Sequence, residues 1–145
     1  MVKNEPPCYT NSINTFLKRD KYMKIARKDK VEAPFVNTTG ERIYEMLGAP
    51  EHLGAAKYHS FGHAVIPVGC CSRPHYHPVA EETYYILSGS AKMIVDDKEF
   101  MLSPGDALLI HTLEKHQIFN AGDADLEFLA ICAPAWTPDN SVYLD

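Results

Sequence analysis

The feature that most constrains the fold of this chain is a succession of short apolar runs separated by turn-forming residues. From Tyr58 onward the runs read HAVIPV, TYYIL, AKMIV, EFML, ALLI, HQIF and LEFLAIC, and the stretches between them are rich in Gly, Pro, Asp, Ser and Asn. Short runs with many β-branched and aromatic residues are typical of strands, and the separators supply turns. Since no helical pattern of any length lies between them, the sequence predicts an all-β, antiparallel barrel or sandwich.

The chain has the size and composition of one domain. Its 145 residues are 46% hydrophobic and 23% charged, as in ordinary globular proteins. No window approaches the roughly 18 apolar residues that a membrane span requires, so we expect no membrane partner. The first residues, MVKNEPPCYTNS, lack the basic, apolar and small-residue regions of a secretory signal, which predicts a cytoplasmic protein.

Charge divides the chain into two unequal parts. Residues 1–30 contain eight Lys and Arg against three Asp and Glu, a balance of +5, whereas residues 31–145 have a balance of −10. We therefore predict a basic N-terminal extension over residues 1–37, irregular or with a short helix, and a barrel domain over residues 38–145. An acidic body repels phosphate backbones, so nucleic acid is not expected as a partner. The extension is expected to pack on this acidic body or on that of a second subunit.

Two histidines one residue apart mark the candidate site. In a strand, alternate side chains share a face, so His75 and His77 point the same way. Glu82 begins the next run, and its carboxylate could meet both imidazoles across a short turn, whereas Glu81 should point to the opposite face. His116 begins a strand in a second hairpin and supplies a third imidazole. Such a set suits one divalent ion of Fe, Mn, Ni, Co, Cu or Zn, and leaves two positions open if the ion is octahedral.

These residues belong to two spaced motifs that resemble those of the cupin family. The first motif is bracketed by glycines and comprises Gly69, His75, His77, Glu82 and Gly89. The second follows the Pro-Gly-Asp turn of SPGDALLI and comprises Gly105, His116 and Asn120. The resemblance covers about residues 58–133.

The resemblance implies a single-domain antiparallel β-barrel of the jelly-roll type, often assembled as a homodimer. It implies that one metal ion per chain lies inside the barrel, bound by His75, His77, Glu82 and His116. It also favours a strand for TTGERIYEMLG, whose apolar residues fit a helix or a strand. Many cupins have Pro and Gly where this chain has His111 and Leu113, and this departure leaves the conformation of the HTLEKH turn open.

A ligand set with open positions predicts metal-centred chemistry on a small organic substrate. An Fe(II)- or Mn(II)-dependent oxygenase (dioxygenase-like) is slightly favoured, with substrate and O2 in the open positions. A redox-neutral isomerase, cyclase or lyase is the alternative, with Tyr84, His111 or a metal-bound water moving the proton. A non-catalytic protein that binds a metal or a small molecule is the second alternative.

Several residues near the motifs keep two interpretations at this stage. Adjacent Cys70 and Cys71 could hardly bridge each other, and either they are plain buried thiols or Cys71 lines the cavity. Arg73 is either a cavity residue or a loop residue in solvent. Trp136 either closes the barrel end or forms a dimer contact.

Overall fold

The computed structural model describes residues 23–144, which form eleven strands and three short 3-10 helices. The strands are β1 (Phe35–Val36), β2 (Arg42–Leu47), β3 (Ser60–Ile66), β4 (His75–Tyr76), β5 (Glu81–Ser88), β6 (Ala91–Val95), β7 (Lys98–Leu102), β8 (Ala107–Ile110), β9 (His116–Asn120), β10 (Leu126–Ala133) and β11 (Val142–Tyr143). The 3-10 helices are Lys28–Lys30, Glu51–Leu53 and Pro138–Asn140. None of the helices in this part of the chain is long and apolar enough to cross a membrane.

The strands are arranged in two antiparallel sheets. One sheet has six strands in the order β1-β2-β3-β10-β5-β8, and the other has five in the order β11-β4-β9-β6-β7. The central strand β10 is paired along most of its length with both β3 and β5. This architecture confirms the predicted all-β jelly-roll barrel. The segment TTGERIYEMLG, whose pattern fitted a helix or a strand, contains strand β2.

The hydrophobic core lies between the two sheets. In β5 the alternate residues Glu82, Tyr84 and Ile86 are buried, and every second residue is likewise buried in β6 and β9. The large side chains that are fully buried come from both sheets and are Ile66, Ile86, Met93, Ile110, Ile118, Leu126 and Phe128. Burial of each such side chain stabilises the fold by about 1.5–3 kcal/mol relative to exposure.

The described part of the predicted extension contributes the edge strand β1 to the six-stranded sheet. Strand β1 pairs with β2, with Phe35 opposite Ile43. Before it, Lys28 Nζ donates a hydrogen bond to Glu127 Oε2 of β10 at 2.8 Å. Residues 23–37 contain one 3-10 turn and β1 but no α-helix. The short helix considered near the N terminus falls on residues 1–22, outside the described residues.

The HTLEKH turn adopts a left-handed conformation without a glycine. Leu113 has φ +70°, a region that favours glycine because a Cβ atom is crowded there. Its backbone N–H donates a hydrogen bond to the carbonyl of His77 at 2.9 Å. The turn therefore has the backbone conformation that a glycine would adopt easily, and in Leu113 this conformation is strained.

Candidate metal centre

The structure brings the four predicted metal ligands together inside the barrel. His75 begins β4 and His77 follows that strand, while Glu82 lies in β5 and His116 begins β9. One ligand atom from each residue lies within 4.8 Å of the other three. Three of the four side chains are buried, and His75 is partly buried. The two hairpins therefore face each other, which the sequence alone could not establish.

Each imidazole is oriented by a hydrogen bond from its Nδ1 atom to a backbone carbonyl. The distances are 2.8 Å from His75 to Arg73, 2.5 Å from His77 to Asn140 and 2.9 Å from His116 to Glu114. A carbonyl oxygen only accepts, so Nδ1 carries a proton, and Nε2 is the atom that can bind a metal once it carries none. Two of these Nε2 atoms lie 3.1 and 3.2 Å from Glu82 Oε2. Three imidazole lone pairs and one carboxylate fit a first-row divalent ion.

Two groups of this cluster, the carboxyl of Glu82 and the imidazole of His75, favour the forms that bind a cation. Burial by itself would raise the pKa of Glu82, but in the metal-free site hydrogen bonds from Nε2–H of His116 and of His77 outweigh burial and lower the pKa. A bound cation would take the place of these protons. Burial, and next the charge of His116, lower the pKa of His75 to about 4. A charged carboxylate and a neutral imidazole at neutral pH are the forms that bind metal.

Glu81, the rival carboxylate, lies on the other face of β5. Its Oε1 atom is 2.9 Å from Nδ1 of His111, and the His111 side chain is 61% exposed. This hydrogen bond raises the pKa of His111. The structure therefore does not bring His111, one of the two candidate bases, to the metal ligands.

Tyr84, the other candidate base, is buried beside the ligands. Its ring centroid lies 6.1 Å from that of His116 and 4.7 Å from that of Phe128. Burial, and next the charge of Glu82, raise the pKa of Tyr84 well above its ordinary value. At neutral pH the group is a hydroxyl, which favours donation of a hydrogen bond over removal of a proton.

A cavity of about 110 Å³ opens beside the cluster. The ligands His75, His77 and Glu82 form part of its wall. Its apolar lining includes Phe35, Ile43, Phe61 and Trp136, and its polar lining includes Glu41, Arg73, Cys132, Ser141 and Tyr143. Cys71 is absent from this wall, whereas Cys132 lies in it and its Sγ donates to Glu82 Oε1 at 3.3 Å.

Arg73 is a cavity residue, which settles one of the questions that the sequence left open. Its guanidinium carbon lies 4.2 Å from the ring centroid of Tyr143. Among residues 23–144, no carboxylate lies within ion-pair distance of Arg73. An arginine without a protein counter-ion in a cavity wall is suited to bind an anion from solution.

The C-terminal segment 136–143 completes the site, and sequence reasoning missed it except for Trp136. Strand β11 pairs with β4, so Tyr143 lies opposite His75. Trp136 Nε1 donates to Ser141 Oγ at 2.8 Å, and both residues line the cavity. Trp136 thus lies in the cavity wall. In the sequence, the one signal for this location was that Trp136 follows the last long strand, β10.

Comparisons with known proteins found a matching family and several relatives. A family profile described as a cupin domain matches residues 62–132. An uncharacterized protein of Methanocaldococcus jannaschii is 31% identical over 125 residues, which cover 85% of this chain and 98% of that protein. The oxalate-binding protein of Thermotoga maritima is 32% identical over 103 residues, which cover 64% of this chain and 85% of that protein.

A solved structure of Bacillus subtilis oxalate decarboxylase that concerns its Mn(II) centres superposes with a TM-score of 0.66 at 25% identity. The match covers 77% of this chain but 29% of the decarboxylase, so this chain corresponds to less than a third of that protein.

Proposed function

The chain belongs to the cupin superfamily, and from that premise we propose that it is a metal-dependent enzyme acting on a small carboxylic acid. The observation that carries the proposal is the guanidinium of Arg73, which has no carboxylate partner in residues 23–144 and lies in the cavity wall with His75, His77 and Glu82, three of the four candidate ligands. A guanidinium binds a carboxylate through two parallel hydrogen bonds, so the cavity selects acids.

The size and lining of the cavity limit the acid to a short one. A volume of about 110 Å³ is well below the roughly 300–1,000 Å³ of pockets for drug-sized ligands. Apolar side chains on the remaining walls exclude water and strengthen the electrostatic contacts inside. The oxalate-binding protein of Thermotoga maritima supports an acid of this size.

The proposed division of roles follows from the positions of the side chains. His75, His77, Glu82 and His116 hold the metal, Arg73 orients the acid, and the hydroxyl of Tyr84 donates a hydrogen bond beside the ligands. A divalent metal in this site would supply Lewis-acid polarisation of a substrate oxygen.

Decarboxylation is the reaction we place first. The cavity contains a second buried carboxyl group, Glu41, and loss of CO2 from an acid requires a proton for the carbon that remains. Oxygen-dependent oxidation of the same acid is the second candidate, since three imidazoles and one carboxylate also suit Fe(II) or Mn(II) in oxygenases.

The experiment is an activity screen on protein loaded separately with Mn(II), Fe(II) and Zn(II). Oxalate and a panel of short mono- and dicarboxylic acids are tested for CO2 release and for O2 uptake. We expect CO2 release without O2 uptake, whereas stoichiometric O2 uptake would favour the oxygenase. Saturable binding of oxalate without turnover of any acid would favour a binding protein and contradict the proposed enzyme.

Two arginine variants test the substrate class. Arg73→Gln should raise KM for an acid by about 10-fold or more, because a charge-assisted hydrogen bond contributes about 1.5–3 kcal/mol. Arg42→Gln is the matched control, since Arg42 pairs with Asp125 at 3.8 Å and is not among the residues that line the cavity. Equal KM values for both variants would contradict carboxylate recognition by Arg73.

The homodimer implied by the family resemblance is also part of the proposal. Tyr85, Leu87 and Leu109 lie on the face of β5 and β8 that points away from the core, and they are 41%, 39% and 48% exposed. A second subunit that covers this face would bury these side chains. Light scattering on the purified protein tests this, and a monomer at all concentrations would contradict it.

A further inference from the structure

Glu41 is a buried carboxyl group that the metal site does not use. It is 5% exposed, directly precedes β2, and lines the same cavity as His75, His77 and Glu82. No lysine, arginine or histidine in the described range 23–144 lies within ion-pair distance of it. A charged carboxylate without a counter-ion is costly to bury, so burial favours the neutral form of Glu41. Buried titratable groups of this kind are common at functional sites.

The turn before β2 holds the Glu41 side chain in place. Asn37 N–H donates to the carbonyl of Glu41 at 3.0 Å, and Thr39 N–H donates to Asn37 Oδ1 at 2.9 Å. With its side chain fixed in this way, Asn37 donates through Nδ2 to Glu41 Oε2 at 2.7 Å. Oε1 accepts no hydrogen bond from any residue that the structure describes. One oxygen is thus anchored to the turn, and the other is available to a molecule in the cavity.

We propose that Glu41 is the general acid of this cavity, holding a proton on Oε1 and delivering it to the substrate carbon that CO2 leaves. This inference deepens the proposed function and rests on it for the identity of the reaction. When the carbon–carbon bond breaks, its electron pair stays on the remaining carbon, and the Oε1 proton forms the new C–H bond. Glu41 is left as a carboxylate and regains a proton from water, so the step consumes one proton overall and needs no oxidant.

In the metal-free cavity, burial first and then a neighbouring negative charge favour the protonated form of Glu41. Burial, and next the negative charge of Glu82, raise the pKa of Glu41 to about 8. Tyr84, Cys132 and Tyr143 share the cavity wall, and the pKa of each is raised, so all three are neutral at pH 7. Glu45 and Arg73 also line the cavity, and Arg73 is paired by the substrate carboxylate in the proposed complex.

The first test detects the proton without any reaction. Carbon-13 NMR of zinc-loaded protein, labelled at the glutamate carboxyl carbons, follows each carboxyl as pH rises. Glu41→Gln assigns the signal, and the exposed Glu99 on β7, which does not line the cavity, serves as the comparison carboxyl. We expect the Glu41 signal to be that of a protonated carboxyl at about pH 6 and to titrate above it. A Glu41 signal that is ionised at about pH 6 would overturn the inference.

The second test separates proton delivery from binding. Glu41→Gln keeps the shape of the side chain and an acceptor for Asn37, so manganese content and oxalate affinity, measured by calorimetry, should stay within a few fold of wild type. The rate of CO2 release should fall by about 10²–10⁴-fold, the usual contribution of a general acid. Glu99→Gln, on β7, should change none of the three values.

The outcomes distinguish this inference from the proposed function. If the Glu41→Gln protein keeps wild-type turnover, the proposed role of Glu41 is contradicted, but the proposed enzymatic function is not. Should Glu41→Gln fold poorly, Glu41→Asp, which also removes one glutamate carboxyl, assigns the signal, and the NMR titration of the wild-type protein still decides whether Glu41 holds a proton. If the wild-type protein turns over no acid, both the proposed enzymatic function and proton delivery by Glu41 are contradicted. The NMR titration then still decides whether the Glu41 carboxyl is protonated.

Discussion

At the scale of single residues, Glu81 and Glu82 have the same chemistry but opposite surroundings. Glu82 is 6% exposed among the imidazoles, whereas Glu81 is exposed and bonded to His111. We predict that Glu82→Gln weakens Mn(II) binding by more than about 100-fold, since losing even an indirect partner of a ligand costs about 10–100-fold. Elemental analysis after dialysis measures the metal content. Glu81→Gln should retain one ion per chain, and loss of metal from Glu81→Gln alone would reverse the assignment.

Leu113 carries backbone strain that a glycine would remove. Its φ of +70° costs a non-glycine residue about 1–2 kcal/mol, and its side chain is 62% exposed, so little packing is lost on truncation. We predict that Leu113→Gly raises the free energy of unfolding by up to about 1 kcal/mol, after the entropy cost of glycine in the unfolded chain. Urea unfolding measures this. Leu113→Ala keeps the Cβ atom and should not stabilise, so equal gains in both variants would contradict the explanation.

These residues also mark how far the sequence can predict the site. Alternation along a strand is a local property, so it correctly placed His75 with His77 and separated Glu82 from Glu81. Glu41 and Arg73 carry no such signal, because their place in the cavity depends on where distant strands pack. The left-handed turn at Leu113 was obscured because the residue that usually reveals it, a glycine, is missing.

At the scale of elements, the β5–β6 turn depends on Gly89 for two reasons. Gly89 has φ +86°, and a Cβ atom there would lie 2.9 Å from Leu126 Cα and 3.0 Å from Asp125 O, both backbone atoms that cannot easily move. Gly105 has φ +95° but open space around it. We predict that Gly89→Ala lowers the free energy of unfolding by about 2–4 kcal/mol and Gly105→Ala by about 1–2 kcal/mol, because only the first adds a clash to the backbone strain. Thermal unfolding of both variants checks the order, and equal losses would contradict the role of the close approach.

The pairing of elements explains why the strands were predicted better than the site. Short apolar runs and turn residues identify strands locally, and the family resemblance supplies their arrangement. The pairing of β11 with β4 has no local signal, since its partners lie more than 60 residues apart in sequence. The C-terminal wall of the cavity was therefore missed even though every long strand was foreseen.

At the scale of the whole molecule, an ion cluster fastens the N-terminal segment to the barrel. Lys28 and His63 both contact Glu127 Oε2, at 2.8 and 2.5 Å, and their hydrogen bonds, that of Lys28 first, lower the pKa of Glu127. A lowered carboxyl pKa stabilises the folded state above the unfolded value of about 4.3, and this contribution is lost as pH falls through the folded value.

We therefore predict that Glu127→Gln destabilises the protein at neutral pH and not in acid. The loss at about pH 7 should be about 0.5–1 kcal/mol, because the group is about one-third exposed and solvent screens it. It should shrink toward zero at about pH 3. Urea unfolding at both pH values measures the difference, with Glu99→Gln as the matched exposed control. A loss that stays constant with pH would show that packing, not charge, fastens the segment.

The bond between His77 Nδ1 and the carbonyl of Asn140 spans 63 residues, and this has a consequence for how a metal ion would enter the candidate site during synthesis. All four ligands leave the ribosome before Asn140 does. Until residues 136–143 have emerged and folded, His77 lacks its orienting carbonyl and β4 lacks its partner strand. On such a nascent chain, loose ligands would bind ions in order of intrinsic affinity, which favours copper. Selection of an ion by the geometry of the candidate site would therefore require residues 136–143 to be folded in place, because they complete that site.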